Sequence, residues 1–507
     1  MDAQKLDYLF ILQRNNVMKK TLKYTTLAAL AALAADAIPA YAETLSVEYN
    51  PTTSSEMKDL TDASIYTPEV TEIKSTDDLN LTYSANDKYS VFNMSKDLTV
   101  NDITVNATAN SGAWAHYFLR VLDNTSLNIN SLTYKMSSNW GGYCNAATKI
   151  YLAGKTSFNI KNDLIYELQN DQNEINFNFE SHATSTVNIG GNLELIAPNA
   201  ANLNIQLGGS ENFTVGGILK MNGEGGMKRI QLDNASTGST EKTYNRSFGG
   251  LSVNNGGQLR IAGTANNTVN LTFTNSTEES YSGYLMAKTT SSNNKVNITM
   301  NATAASGKQT LRFLDATDKN ADGNTYNNAA IDNVSVLNGT LSLGMNSAMS
   351  ANKLVVNGEK AVFDITSADG ASEIGKATFG SFEVLKGAIA FDFAKDSNDF
   401  IDITGTANAS SDLAFIVNMT KADFDNFLGE GETSLQYNII SFTTEGSSFD
   451  ATTVICKDAA LRGKIDLVAI AGTTSVMLTI TAVPEPATVA AILGAVALAF
   501  AAYRRRK

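Results

Sequence analysis

Chemistry in this chain would have to come from few reactive side chains, so their types and spacing can be taken in turn. Asp318-Lys-Asn320-Ala-Asp322-Gly323-Asn324 sets oxygen donors at the first, third and fifth positions of a loop and Gly at the sixth, the order a calcium loop uses. The twelfth position is Ala329, so the closing carboxylate is missing, and the segment reads first as an Asp/Asn/Gly turn and second as a weak calcium site. Gly370 to Lys376 has the spacing of a phosphate loop, but Ala377 stands where the metal-binding hydroxyl belongs and the chain runs on toward a strand. His116 and His182 lie beside no Ser, Cys or carboxylate set that would activate them, and no Gly-x-Ser-x-Gly elbow is present. Cys144 and Cys456 are expected as buried thiols too far apart in a rod to bridge. Glu194, Asp233 and Asp364 are the candidate acids for sugar hydrolysis or elimination, without a recurring carboxylate or basic cluster to build a groove. Trp114, Tyr117, Trp140 and Tyr143 gather around residue 127, and Trp114, Trp140 and Tyr143 are the candidates for stacking on a sugar ring. Asn-x-Ser/Thr triplets such as Asn106-Ala-Thr108 and Asn297-Ile-Thr299 recur, as the abundance of Asn and Thr makes them do by chance.

The composition narrows the classes further. The 507 residues hold 51 acidic against 38 basic side chains, with 2 His and 2 Cys, which leaves no donor set for a zinc cage, an iron–sulfur cluster or a haem pocket. A net charge of −13 argues against nucleic acid as a partner. Charged residues are only 18%, so the polar surface must be made of Asn, Thr, Ser and Gly, as in secreted β-proteins.

Elements that could position these residues come from a repeat. Leu98-Thr-Val100-Asn-Asp-Ile103-Thr-Val105 returns as Leu127-Asn-Ile129-Asn-Ser-Leu132-Thr-Tyr134, and again from Phe158, Val187, Phe213 and Leu251. The steps are 29, 31, 29, 26 and 38, a solenoid period. Strict alternation marks half-buried strands, and Gly190-Gly191 or Asn357-Gly358 between runs is read as supplying the positive φ of a corner. The expectation is an all-β, right-handed parallel β-helix over 91–481, with stacked Asn or Thr at the turns bonding from coil to coil, preceded by a lead-in or cap over 43–90. A string of antiparallel sandwiches is the alternative, since each motif also reads as a hairpin. Lys421 to Leu428 is read as one short helix, and Ser434 to Thr481 as the closing strands.

Both ends read as sorting signals. Met18, Lys19, Lys20 and Lys23 open a positive region, an apolar run follows, and Ala40-Tyr41-Ala42 supplies a small-x-small site, so residues 1–42 read as a signal region, with its true start at Met18 and cleavage by signal peptidase after Ala42. At the other end, over 482–507, Pro484-Glu485-Pro486 precedes seventeen uncharged residues, Ala487 to Tyr503, which as a helix would span about 25 Å, and then Arg504-Arg505-Arg506-Lys507. The basic cluster orients such a membrane helix with its tail inside.

Pro-Glu-Pro, an Ala-rich helix and a terminal Arg cluster together resemble the PEP-CTERM sorting signal of Gram-negative bacteria. The resemblance implies an exosortase-like protease as processing partner and delivery to the cell envelope, the cell surface or an exopolysaccharide matrix. In its Asn/Thr/Gly-rich grammar the body resembles autotransporter passenger domains. Removing both ends takes away nine basic and four acidic residues and moves the net charge from −13 to −18, which repels nucleic acid and anionic lipid. Three functions are consistent with this: a structural or adhesive surface protein without enzymatic activity and without a cofactor, meeting polysaccharide or host glycan; an extracellular polysaccharide lyase or hydrolase; and a calcium-dependent binding module centred on Asp318 to Asn324.

Overall fold

In Leu127-Asn128-Ile129 the pleat sends Leu and Ile to one side and Asn to the other, and the two apolar side chains are buried while Asn128 is half-exposed. What buries them is the equivalent strand one coil away. In the computed structural model Leu98 is paired with Leu127, Leu127 with Phe158, Phe158 with Val187 and Val187 with Phe213, every pair parallel and in register. The second run of each motif builds its own parallel ladder, Ile103 to Leu132 to Leu164 to Leu193 to Leu219. A third ladder joins Leu119 to Ile150 and Ile150 to Phe179, and continues through Ile205 to Ile230. The fold is therefore an all-β parallel β-solenoid with almost no helix, and the hairpin alternative is excluded by the direction of these pairs.

The structure describes residues 42–482 together with Leu493, Ala495 and Val496, except for 50–56, 86–89, 110–112, 139–144, 170–173, 198–201, 224–225, 235–240, 264–265, 289–293, 314–325, 344–347, 366–373, 431, 444–446, 451–452, 462–464 and 472–473. Among the described residues no helix is long and apolar enough to cross a membrane. The signal region through Tyr41, the motif Pro484-Glu485-Pro486 and the tail Arg504 to Lys507 lie outside them, and Ala42 is exposed just ahead of the first strand.

The lead-in belongs to the solenoid. Thr44–Tyr49 pairs in parallel with Asp78–Ala85, which pairs with the second run of Leu98–Ala109. At the far end the short helix Lys421–Phe427 is present, opened by a capping box between Thr420 and Asp423 and anchored by buried Phe424. The closing strands change direction: Ser434–Phe442 and Ile465–Ala471 both flank Ser475–Ala482 in antiparallel pairs.

Two sequence expectations are corrected. Phe213 is followed in the first ladder by Arg246, with Val215 against Phe248, whereas Leu251 stacks on Leu219 in the second ladder. The step of 38 joined different ladders, because a buried arginine occupies the apolar position where the motif should have restarted. The corner glycines also serve a different purpose. Gly190, Gly191, Gly216 and Gly217 do not have positive φ. They are there because a Cβ on Gly190 would lie 2.2 Å from the Lys161 carbonyl oxygen, and one on Gly216 would lie 2.4 Å from that of Gly190. The next copy, Gly249, is the tightest, with its would-be Cβ 2.1 Å from the Gly216 oxygen and 2.5 Å from that of Gly217. Gly249→Ala should therefore force two coils apart and cost about 2 kcal/mol, read as an earlier first transition in urea, whereas an unchanged transition would show that the corner can yield.

Candidate functional site

The outer face of the first ladder carries the most regular arrangement in the molecule. Each coil contributes two outward residues, one Asn and one Ser or Thr: Ser126 with Asn128, Ser157 with Asn159, Thr186 with Asn188, Asn212 with Thr214, Asn245 with Ser247, Asn270 with Thr272, Asn297 with Thr299, and Asn333 with Ser335. These eight pairs are stacked in register, coil on coil, and none is charged. Seven steps of about 4.8 Å make the array roughly 34 Å long.

The amides are linked to one another. Asn159 Nδ2 donates to Asn128 Oδ1 at 2.9 Å and Asn188 Nδ2 to Asn159 Oδ1 at 2.9 Å. In the neighbouring row Asn245 donates to Asn212 at 3.0 Å, Asn270 to Asn245 at 2.8 Å, Asn297 to Asn270 at 2.8 Å and Asn333 to Asn297 at 3.0 Å. An amide inside such a row uses one N–H and one lone pair, and keeps the second N–H and a lone pair for a ligand or water. Below Asn333 the same positions are Lys353 and Val355, then Ser381 and Glu383, and a Lys353–Glu383 ion pair ends the neutral surface. Where the ladder turns its corner, a shallow groove of about 320 Å³ lies beside Asn159, Asn188 and Thr214, lined also by Lys161, Gly190 and Gly216.

The expected Asn stacking at turns is present where Asn162 donates to Asn130 at 3.1 Å, but the long array lies on the strands instead. Asn212-Phe-Thr214, Asn245-Arg-Ser247, Asn270-Leu-Thr272, Asn297-Ile-Thr299 and Asn333-Val-Ser335 are the very triplets that abundance seemed to explain. Their recurrence at the coil period is the signal that distinguishes them from chance.

The other candidates fall elsewhere. Asp318, Asn320, Asp322 and Asn324 lie outside the described residues, as do Trp140, Tyr143 and Cys144. Trp114 and His116 belong to the strand Ala113–Val121. Beside them Tyr117 donates to Glu180 Oε2 at 3.0 Å, packs edge-on to Tyr151 at 6.1 Å and carries Lys149 Nζ 5.1 Å above its ring. His182 is exposed on a turn, 3.1 Å from Thr184 Oγ1. Lys376, the last residue of the phosphate-loop spacing, opens the strand Lys376–Asp392 and not a helix. Among the described residues no cluster of three His, Cys, Asp or Glu could hold a metal ion.

The three candidate acids occupy separate places. Glu194 is half-exposed and accepts from Asn222 Nδ2 at 2.5 Å. Asp233 is fully buried and caps a corner, accepting from the backbone N–H of Ala262 at 2.8 Å and of Gly263 at 2.9 Å and from Asn267 Nδ2 at 2.9 Å. Burial raises its pKa against these donors. Asp364 ends the strand Ala348–Asp364 in an outward position between Ser342 and Ala390 on the neighbouring coils. Burial, with Asp392 nearby, pushes its carboxyl up to about 7, although Lys308 at 3.8 Å and the Ser342 hydroxyl at 3.1 Å pull the other way. Its second oxygen is buried without a hydrogen bond.

No protein-family model and no curated protein matches the chain.

Proposed function

We propose that the protein is an exported, non-enzymatic rod of the cell surface or of an exopolysaccharide matrix. In this reading the solenoid winds right-handed, the signal region is removed after Ala42, and the Pro484-Glu485-Pro486 tail with its membrane helix and basic end addresses the chain to an exosortase-like protease. The observation that carries the reading is the neutral Asn/Ser/Thr array running over eight coils, a long and regular surface built on stacked strands rather than on loops. Proteins that do chemistry gather a few converging groups in a pocket, and this surface repeats one pair of groups along a line. The sorting features at both ends supply the destination.

The test is the intact mass and fractionation of the native protein from its own cells. A species that begins at Glu43, lacks the residues after Pro486 and is found outside the inner membrane is the expected result. A full-length species that stays in the cytoplasm or the inner membrane would overturn the reading.

A further inference from the structure

We propose that the outer face of the first ladder binds a neutral, extended, β-linked glycan lying along the stack of coils. This deepens the matrix reading by naming the ligand, and it stands on the geometry of the face.

Three properties of the face select that chemistry. The first is charge: both rows are uncharged from Ser126 to Ser335 while the chain as a whole carries −13, so an anionic polymer is repelled by the molecule and a cationic partner finds its carboxylates elsewhere. The second is the kind of contact on offer. Protein partners are held by aromatic, Met and Arg anchors in desolvated pockets, and neither row has such a residue. Amides and hydroxyls in two parallel rows instead match a polymer whose every residue displays hydroxyls, each able to donate and accept. The third is spacing, because the coil repeat of about 4.8 Å is close to the advance of one sugar in an extended β-linked chain, so each sugar can reach the one Asn and one Ser or Thr of a coil. The groove lined by Asn159, Asn188, Thr214, Gly190 and Gly216 gives such a chain a place to seat a ring beside the amide row. Each contact competes with water and contributes little, so affinity should grow with the number of sugars bound.

The experiment uses the full chain with cellohexaose, cellobiose and insoluble cellulose as neutral probes and alginate as the anionic comparison, read by calorimetry and by co-sedimentation. Cellohexaose should bind at least tenfold more tightly than cellobiose, and alginate should not bind. Thr272→Lys with Thr299→Lys places two long cations on the face without touching the amide row, and should lower cellohexaose affinity at least tenfold with the thermal transition retained. Thr133→Lys, on the outer face of the second ladder, should leave binding unchanged. The proposal is overturned if the parent binds none of the neutral probes, if it binds alginate alone, or if the double variant binds as the parent does. It is equally overturned if the double variant alters only self-association. Binding by a chain that fractionates with the cytoplasm would sink the export reading and leave this one intact.

Discussion

Arg246→Ala should destabilise the central coils by roughly 4 kcal/mol, the largest loss expected of any single substitution discussed for this chain. Arg246 is 1% exposed and points inward at an apolar position of the first ladder, between Phe213 on one coil and Leu271 on the next. Its guanidinium is held by backbone carbonyls: Nε donates to Leu232 O at 2.6 Å, and the two terminal nitrogens donate to Ser210 O at 2.9 Å and Gly208 O at 3.1 Å. Its guanidinium carbon lies 4.9 Å from the centre of the Tyr244 ring. Burial lowers the pKa to about 10, which leaves the group charged at neutral pH, with Asp233 and these carbonyls offsetting the loss of water. Alanine would orphan three carbonyls and open a cavity at once. Lysine should not rescue, because one ammonium on a flexible stem cannot reproduce a planar fork directed at three oxygens. Since each coil touches only its neighbours, the damage should be local, with amide hydrogen exchange rising in the coils around 202–273 and the ends of the rod unaffected. Unchanged exchange there would mean that the carbonyls find other donors.

Asp364→Asn should stabilise the protein at pH 8 and do nothing at pH 3. The folded carboxyl titrates near 7 and the unfolded one near its ordinary 3.8. Between those values the folded chain holds a proton that the unfolded chain has released, so raising the pH through this window removes stability, and the removal is complete above 7. The whole effect amounts to roughly 4 kcal/mol, and the amide, which never ionises, should escape it. Lys308 keeps a partner in the variant, since Glu278 Oε1 lies 3.3 Å from its ammonium. Denaturant midpoints at pH 3, 5 and 8 decide the matter: the two proteins should agree at the lowest pH and diverge as it rises. Parallel curves would place the carboxyl in the ordinary range.

The solenoid was legible because alternation survives parallel stacking: Leu127, Phe158 and Val187 repeat at nearly constant spacing and pair in register. It failed where a residue broke the code while keeping the position. Tyr244-Asn-Arg246-Ser-Phe248 is an inward row with a charge in its middle, and no rule of periodicity places Arg246 inside. The corner glycines are necessary for a reason the sequence does not display, because it shows a turn but not the neighbouring coil, whose carbonyl oxygen would lie 2.2 Å from a Cβ added at Gly190. Asp364 was legible only as a carboxylate. Alternation after the inward Phe363 turns Asp364 to the outer face, yet the neighbouring coils leave it 6% exposed. The array was hidden in plain composition, since one Asn-x-Thr is noise and five at the coil period are a surface.

The in-register ladders have a mechanical meaning. Their hydrogen bonds run along the rod, so tension between its ends is carried by the coil junctions in series and the weakest gives way first. Such a body yields by peeling, each event releasing a coil of about 29 residues and roughly 100 Å of chain. The Asn amides add a further bond to the junctions that they span, which grades resistance along the rod and reinforces the stretches from Asn128 to Asn188 and from Asn212 to Asn333. A rod of this kind is a shock absorber with a fixed order of release.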